Sequence, residues 1–560
     1  MYNIVKVVEK HGKRIGFILK DVKTGAESYF SEEDTKDLCN KGLVINVKYT
    51  GKQFRKRQGN MSDFDTVTYE SKFSTKNKTN KEDIRITSKY SWRYGDSLKS
   101  YVSSALKGIN EERDFVRRVL RYCKGSSRKV YAISGLRSTG KSVGMRQCIR
   151  GLNMYGKTAY IQFTRGKDVS FDELIAILKE LPKEVKYIFI DEISVVKDLV
   201  HCSGSLADNF TLAGKKVVIA GTDSYSLECA FSDGLFHRCE LDNITFISYQ
   251  EYKRTIKEDF KGYLTSGGLY EASSYTNATG LRSYIDTSIA GNITTTITKN
   301  KLSEFNGFSE DEVRSAVYLV LYSIVYSNSK KLPFKRVVNM VLSDSKAENI
   351  DRLTLDRVIS QSLGVNIGSN LSMVLIQRVL IALEYMGIIL KCSNICKNNE
   401  FIETNYYLVS PYLSNNIYST IFDLLIAEGG TVKDKKFNSI FGLVLESALV
   451  AHAVKQSNMD CYFYHNKISN SEVDLVLMER QSLDVDEKSK VHLVEIKLSP
   501  NPEYVCKKGH WVMEVEEDTF NEDVEIVSRN IVYMGRTVNS KGLINCMKFI
   551  KNISKLKDIL

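Results

Sequence analysis

Residues 129–150 read KVYAISGLRSTGKSVGMRQCIR, and the fold turns on them. The apolar run Val130, Tyr131, Ala132, Ile133 predicts a buried strand. Gly135, Leu136, Arg137, Ser138, Thr139, Gly140, Lys141 and Ser142 follow with the spacing GxxxxGK[ST] and open into a helical stretch. Gly135 and Gly140 permit backbone angles closed to other residues, so that successive N–H groups can turn inward around a polyphosphate. The N-terminus of the next helix adds a partial positive charge. Lys141 is expected to reach the β- and γ-phosphates, and the Ser142 hydroxyl to bind Mg²⁺.

Downstream, the pattern alternates strand and helix. KTAYIQF (157–163), KYIFIDEIS (186–194) and KKVVIAGTDS (215–224) read as strands, and SFDELIAILKEL (170–181) as an amphipathic helix. Such alternation predicts a mainly parallel sheet with helices on both faces and ligands at the carboxyl ends of the strands. Asp191 and Glu192 end an apolar strand about fifty residues beyond the loop. Asp191 is placed to hold the Mg²⁺ bound by Ser142, and Glu192 to polarise an attacking water. Thr222 has two readings, a γ-phosphate sensor that orients water or a hydroxyl satisfying a turn.

At 560 residues, roughly three to four domains are expected. The chain is 43% hydrophobic and 26% charged, which excludes disordered and fibrous classes. A net charge of +12 permits a polyanionic partner such as DNA, and equally suits a lysine-rich solvated surface. Eleven scattered cysteines fit reduced thiols in a cytoplasm. No second pair or histidine cluster joins Cys392 and Cys396, so no zinc site is expected there. The start, MYNIVKVVEKHGKR, lacks the core of a signal peptide, and the most apolar helix, 316–326, is too short to span a bilayer. A cytoplasmic location without membrane contact is therefore expected.

SGLRSTGKS, FIDEI, VVIAGTDS and FHRCELDNITFISYQEY resemble the bacterial and archaeal AAA+-like P-loop ATPase family whose members carry a C-terminal domain of unknown function. Arg137 matches an arginine that follows the first loop glycine in that family. Arg238 and the segment Phe246–Tyr252 match an arginine and an "sf-x-E-y" stretch beyond the sensor strand. The loop and strand-end residues call for ATP and Mg²⁺ as cofactors, and a homo-oligomer is one assembly open to the chain. Arg238 then has two readings, an arginine finger in cis or from a neighbouring subunit, or a surface ion pair with Glu240 or Asp242. Val143-Gly144-Met145 departs from the family's helix start. Gly144 lowers helix propensity by about 1 kcal/mol relative to Ala, which predicts a looser turn.

Residues 1–72 read as a small β-rich module from NIVKVV, RIGFILKDV, ESYF and a turn at Lys23-Thr24-Gly25. Lys48, Lys52, Arg55, Lys56 and Arg57, interleaved with Tyr49 and Phe54, fit either phosphate and base contacts or a basic strand edge that resists aggregation. A polar linker is expected over 73–100, an ATPase core over 101–250 and a helical lid over 251–335. Residues 336–412 read as helix, turn, helix ending at Gly387, then a strand pair, the order of a winged helix. That region offers only Gln377 and Arg378 on an apolar body, which fits internal packing or a subunit contact better than DNA reading.

Residues 413–560 carry a second constellation. Glu446 lies on SIFGLVLESALVAHAV, Glu472 and Asp474 on the strand SEVDLVLM, and Glu495 and Lys497 on HLVEIKLS beyond the polar hairpin ERQSLDVDEKSK. Glu495 and Lys497, two apart on a strand, share a face. Glu446, Asp474, Glu495 and Lys497 resemble the PD-(D/E)XK nuclease core, which implies a restriction-endonuclease-like α/β domain. Either the set holds a metal for phosphodiester cleavage, or it is an inherited scaffold whose polar groups are structural. The expected whole is a multidomain α/β ATPase coupled to its C-terminal modules. The alternatives are an ATP-gated DNA nuclease and a nucleotide-dependent switch with negligible turnover.

Overall fold

In the computed structural model, the N-terminal part is described over residues 2–10, 13–21, 27–40, 43–44, 47–49, 54–56 and 65–68. Beyond it, residues 83–270, 277–342, 359–360, 371–397, 404–427, 435–469, 471–480, 488–538 and 542–558 are described. The chain divides into two units, Met1–Glu82 and Asp83–Leu560.

In the first unit, β1 (Tyr2–Lys10), β2 (Lys13–Asp21), β3 (Glu27–Ser31) and β6 (Asp65–Thr68) form a sheet in the order β3-β2-β1-β6. β4 (Val47–Tyr49) and β5 (Phe54–Lys56) make a separate antiparallel pair. Phe17, Leu19 and Val44 are its buried core. The three expected strands fall in β1 to β3. Lys48, Arg55 and Lys56 lie on the β4–β5 pair, whereas Lys52, Arg57 and the turn at Lys23-Thr24-Gly25 lie outside the described residues.

The second unit begins with a correction. From Asp83 onward the expected linker is ordered structure: β7 (Ile84–Ile86), β8 (Tyr90–Tyr94) and the helix Gly95–Ala105. Tyr90 and Trp92 alternate into the core along β8, and β8 pairs antiparallel with β10 (Thr158–Phe163), so a polar sequence is captured by a sheet edge. Residues 73–82 lie outside the described residues. With β9 (Val130–Ser134), β11 (Tyr187–Asp191), β12 (Lys216–Ala220) and β13 (Cys239–Asn243), the sheet runs β13-β9-β12-β11-β10-β8-β7. β9 to β13 are mutually parallel. Val130 and Ala132 of β9 pack into one apolar layer, Tyr131 and Ile133 into the other. Burial on both faces explains why these strands read as continuous apolar runs. Because β12 lies between β9 and β11, the ends of all three strands share one crevice.

SLKSYVSSALKGINEERDFVRRVLRYC is two helices, Gly95–Ala105 and Asp114–Lys124, and the break between them leaves Gly108–Glu111 free to line that crevice. Beyond β13 come short helices and then Glu310–Lys330, started by a full Ser309/Glu312 capping box. Of the expected winged-helix region, the helix Met373–Tyr385 and the strand pair β14 (Ile389–Ser393) with β15 (Thr404–Leu408) are described. Its first helix lies mostly outside the described residues. Gly387, at φ 70°, ends the second helix.

The helices Pro411–Ala427 and Lys435–Gln456 lead to β16 (Met459–Asn466), β17 (Ser471–Glu479), β18 (Ser489–Lys497), β19 (Val524–Tyr533) and β20 (Leu543–Asn545), a sheet in sequential order. One apolar core runs from Tyr252 and Tyr263 through Val320 and Leu375 to Val494 and Phe549. The helical region and the C-terminal sheet are therefore packed on each other. Among the described residues, no helix is long and apolar enough to cross a membrane.

Candidate functional site

The phosphate loop leaves β9 at Ser134, and Gly140 takes the left-handed conformation, φ 77°, at the cap of the helix Lys141–Leu152. A Cβ at Gly140 would also collide with the guanidinium of Arg113. Gly144 does not loosen the helix as its propensity suggests. The helix is continuous, and the glycine makes room for the Phe115 ring.

A cavity of about 570 Å³ opens over the strand ends. Gly140, Lys141, Ser142, Glu192 and Thr222 line it together with Arg113, Arg165 and Tyr270. Lys141 Nζ donates to the carbonyls of Gly135 (2.6 Å) and Leu136 (2.7 Å). Burial pushes its ammonium down to about 7, against the attraction of Glu192 and Asp191. A cation so desolvated is stabilised by any anion that enters. Leu136 is buried, Thr139 hydrogen-bonds the Leu136 carbonyl, and Arg137 is exposed at the cavity mouth.

Asp191 is buried at the end of β11 and accepts from Tyr160 Oη at 2.7 Å and from Ser142. Burial, more than its neighbours, raises its pKa. The Ser142 hydroxyl and Asp191 carboxylate are the paired oxygen donors that Mg²⁺ takes. Glu192 stands at φ 58°, in the left-handed region, which turns its carboxylate towards the β12 end. Its Oε2 accepts from Thr222 Oγ1 at 2.7 Å, and its Oε1 from Arg165 at 2.6 Å. Burial would raise the Glu192 pKa, but Arg165 and Thr222 together bring it below the usual carboxylate value. Thr222 thus spends its hydroxyl on Glu192 and its carbonyl on Asn292, at 2.9 Å.

Residues 127–253 match the family model of an AAA domain. The matched AAA domain spans the loop, β10 to β13 and the Phe246–Tyr252 segment. Solved structures similar to this chain include Cdc6p from Pyrobaculum aerophilum, 13% identical over 57% of this chain and 96% of that one, TM-score 0.20. The S. cerevisiae Hsp104:casein complex is 17% identical over 45% and 52%, TM-score 0.23. The Aeropyrum pernix Orc1 protein in complex with DNA is 12% identical over 56% and 92%, TM-score 0.21. Scores this low carry no weight for the fold, which rests on the strand order above. No curated protein matches the sequence.

Arg238 is not among the residues lining this cavity. Its carbonyl accepts from Val130 N at the start of β9, so it sits at the amino end of the strands, opposite the loop. That position rules out a finger in cis. Its ion-pair partner is Asp208, at 3.3 Å, and not Glu240 or Asp242 as expected. Glu240 is taken by Ser127 and Asp242 by Arg118 and Tyr131. Sequence reading also missed Arg113 and Arg165. Arg165 lies two residues past the carboxyl end of β10, the one signal that marked it.

In the C-terminal sheet, Glu446, Asp474, Glu495 and Lys497 do come together. Asp474 and Glu495 flank the last β17–β18 ladder pair, Leu475 with Val494. Asp474 Oδ2 accepts from Ile496 N at 2.7 Å, and Lys497 Nζ lies 3.7 Å from Asp474 and closer to Glu495. Glu446 accepts from Tyr407 Oη at 3.2 Å. Burial, then the Asp474 charge, pushes Glu495 up to about 8 and Glu446 well above its usual range. A cavity of about 440 Å³ here is also lined by Lys331, ion-paired to Glu472. Glu446, Glu472 and Glu495 therefore share the cavity with Lys331, Lys497 and Lys508. Among the described residues, no group of three or more His, Cys, Asp or Glu is spaced to hold a metal. In this arrangement Glu495 is engaged by Lys497 and Glu472 by Lys331.

Proposed function

We propose that the AAA domain hydrolyses ATP with Mg²⁺ and couples the cycle to the helical region and C-terminal sheet. One observation carries the reading: Lys141, Ser142, Glu192 and Thr222, from three neighbouring strand ends, line one cavity, and buried Asp191 accepts from Ser142 beside it. Loop N–H groups and Lys141 bind the β- and γ-phosphates, and Ser142 with Asp191 holds the metal. Mg²⁺, when bound, neutralises phosphate charge. Glu192, kept ionised by Arg165, accepts the proton of the attacking water, and Thr222 fixes the rotamer of Glu192. Arg238 lies away from its own cavity, and its role as a finger is towards a neighbouring subunit's nucleotide. Glu192→Gln is expected to bind ATP and lose hydrolysis by at least a hundredfold. Loss of binding in a folded variant would reject that role. A switch with negligible turnover is the alternative if wild-type protein binds ATP and changes its assembly without hydrolysing it.

A second reading, ATP-gated DNA cleavage, is favoured by the convergence of Asp474, Glu495 and Lys497 with Glu446. Protein incubated with supercoiled and linear DNA, Mg²⁺ or Mn²⁺, with and without ATP, tests it. Cleavage that persists in Asp474→Ala would place the activity elsewhere.

A further inference from the structure

The segment Ser248-x-x-Glu251 has the pattern of a capping box. Ser248 performs its half, accepting from Glu251 N at 3.1 Å. The carboxylate of Glu251 does not return to the cap. It is buried and accepts from Arg113 Nε at 2.5 Å and from Asp114 N at 2.9 Å. Arg113 is itself only 4% exposed. Its other arm donates to the carbonyl of Thr139, inside the phosphate loop, while its guanidinium lies 4.6 Å from the centre of the Tyr270 ring. Tyr270 N in turn donates to the carbonyl of Ser138 at 3.0 Å. Gln147, on the loop's helix, accepts from Arg113 N at 3.1 Å and donates to the Glu111 carbonyl at 2.7 Å.

We propose that Arg113 and Glu251 are a positioning pair that sets the phosphate loop for nucleotide, a role that rests on reading residues 135–142 as a nucleotide site. In a planar trans peptide, the carbonyl of one residue and the N–H of the next point in opposite directions. Holding the Thr139 and Ser138 carbonyls towards Arg113 and Tyr270 therefore sends the N–H groups of Gly140 and Thr139 the other way. A loop free to flip these peptides would turn carbonyl oxygens towards phosphate and repel it. Arg113 is suited to the task because a planar guanidinium makes two directed bonds at once, one to Glu251 and one to Thr139, whereas an ammonium does not span both with that geometry. Glu251 is needed because a buried guanidinium without a counter-charge is strongly disfavoured. Gly140 belongs to the same device, since only a residue without a Cβ lets Arg113 approach.

A staple that merely ties the AAA core to the helices behind it would change stability and leave affinity alone. The test uses full-length protein, a fluorescent ATP analogue with Mg²⁺, steady-state hydrolysis, and hydrogen exchange across residues 135–142. Arg113→Met is expected to weaken analogue binding at least tenfold and to raise KM by a larger factor than it lowers kcat. Exchange over 135–142 is expected to quicken while that of β10 to β12 is unchanged. Arg113→Lys is expected to recover part of the affinity. A folded Arg113→Met with wild-type affinity and wild-type exchange over the loop overturns the proposal. If Arg113→Met does not fold, Glu251→Gln is read by the same two measurements, and unchanged values overturn it. Should wild-type protein bind no nucleotide, the nucleotide reading itself fails. Loop exchange then still decides the pair: faster exchange in Arg113→Met supports the positioning role, and unchanged exchange overturns it.

Discussion

Gly144→Ala is the perturbation in which local preference and packing disagree most directly. Alanine in a helix interior is favoured over glycine by about 1 kcal/mol, so propensity alone predicts stabilisation. The added Cβ, however, would meet the Phe115 ring, with Cε1 at 2.7 Å, Cε2 at 2.9 Å and Cζ closer still. Phe115 is buried in the same apolar cluster as Val116, Val119, Met145 and Ile149, so the methyl group is accommodated only by displacing a packed ring. Overpacking of this kind costs about 1–3 kcal/mol. The net expectation is a loss of up to about 2 kcal/mol, and a shift of Phe115 that reaches Arg113, whose guanidinium lies 5.3 Å from its ring. Thermal melts of the full-length protein rank the variants, with Phe115→Leu and the double variant completing a cycle. Phe115→Leu vacates volume that the new methyl group would fill, so the double variant is expected to be more stable than the two single effects added together, by about 1 kcal/mol. A Gly144→Ala protein more stable than wild type, as propensity alone predicts, or additive behaviour in the cycle, would refute the packing argument.

Three further outcomes follow from the charges. Arg165→Ala removes the largest of the influences that hold the Glu192 pKa down, leaving Thr222 and Lys141 against burial; the acid limb of the hydrolysis pH profile is expected to move to higher pH, and an unmoved limb would dissociate Arg165 from the base. Asp223 is buried with Oδ2 unpartnered, and burial raises it to about 7 from 3.8. Its contribution is fully present below pH 4 and lost as pH rises through 7, so Asp223→Asn is expected to remove that slope, on the order of 1–4 kcal/mol in melts compared across pH 4–8. Lys497→Met strips the cation from Asp474 and Glu495; about 3–5 kcal/mol of stability is expected to go. Burial already pushes Glu495 up to about 8, so the deficit should be larger at pH 9 than at pH 6, and a pH-independent deficit would count against the pairing.

What the sequence alone determined is what is local or periodic. The strand-loop-helix of 130–152 follows from apolar run, glycine spacing and helical stretch, all within one segment. Asp191, Glu192 and Thr222 were legible because a buried parallel strand is apolar until its carboxyl end, so the first polar residues mark the crevice. Glu495 and Lys497 share a face by strand period. Tertiary structure alone decided which distant groups complete each site. Arg113 meets Glu251 across 138 residues, Arg165 meets Glu192 across 27, and Lys331 meets Glu472 across 141. No short pattern records such pairs, because burial and counter-charge select them only once the elements have packed. The same holds for Arg238, whose end of the strand follows from the β9–β13 register, and for Gly144. Propensity reads that glycine as weak helix, and the Phe115 ring lying against it makes it the residue that fits.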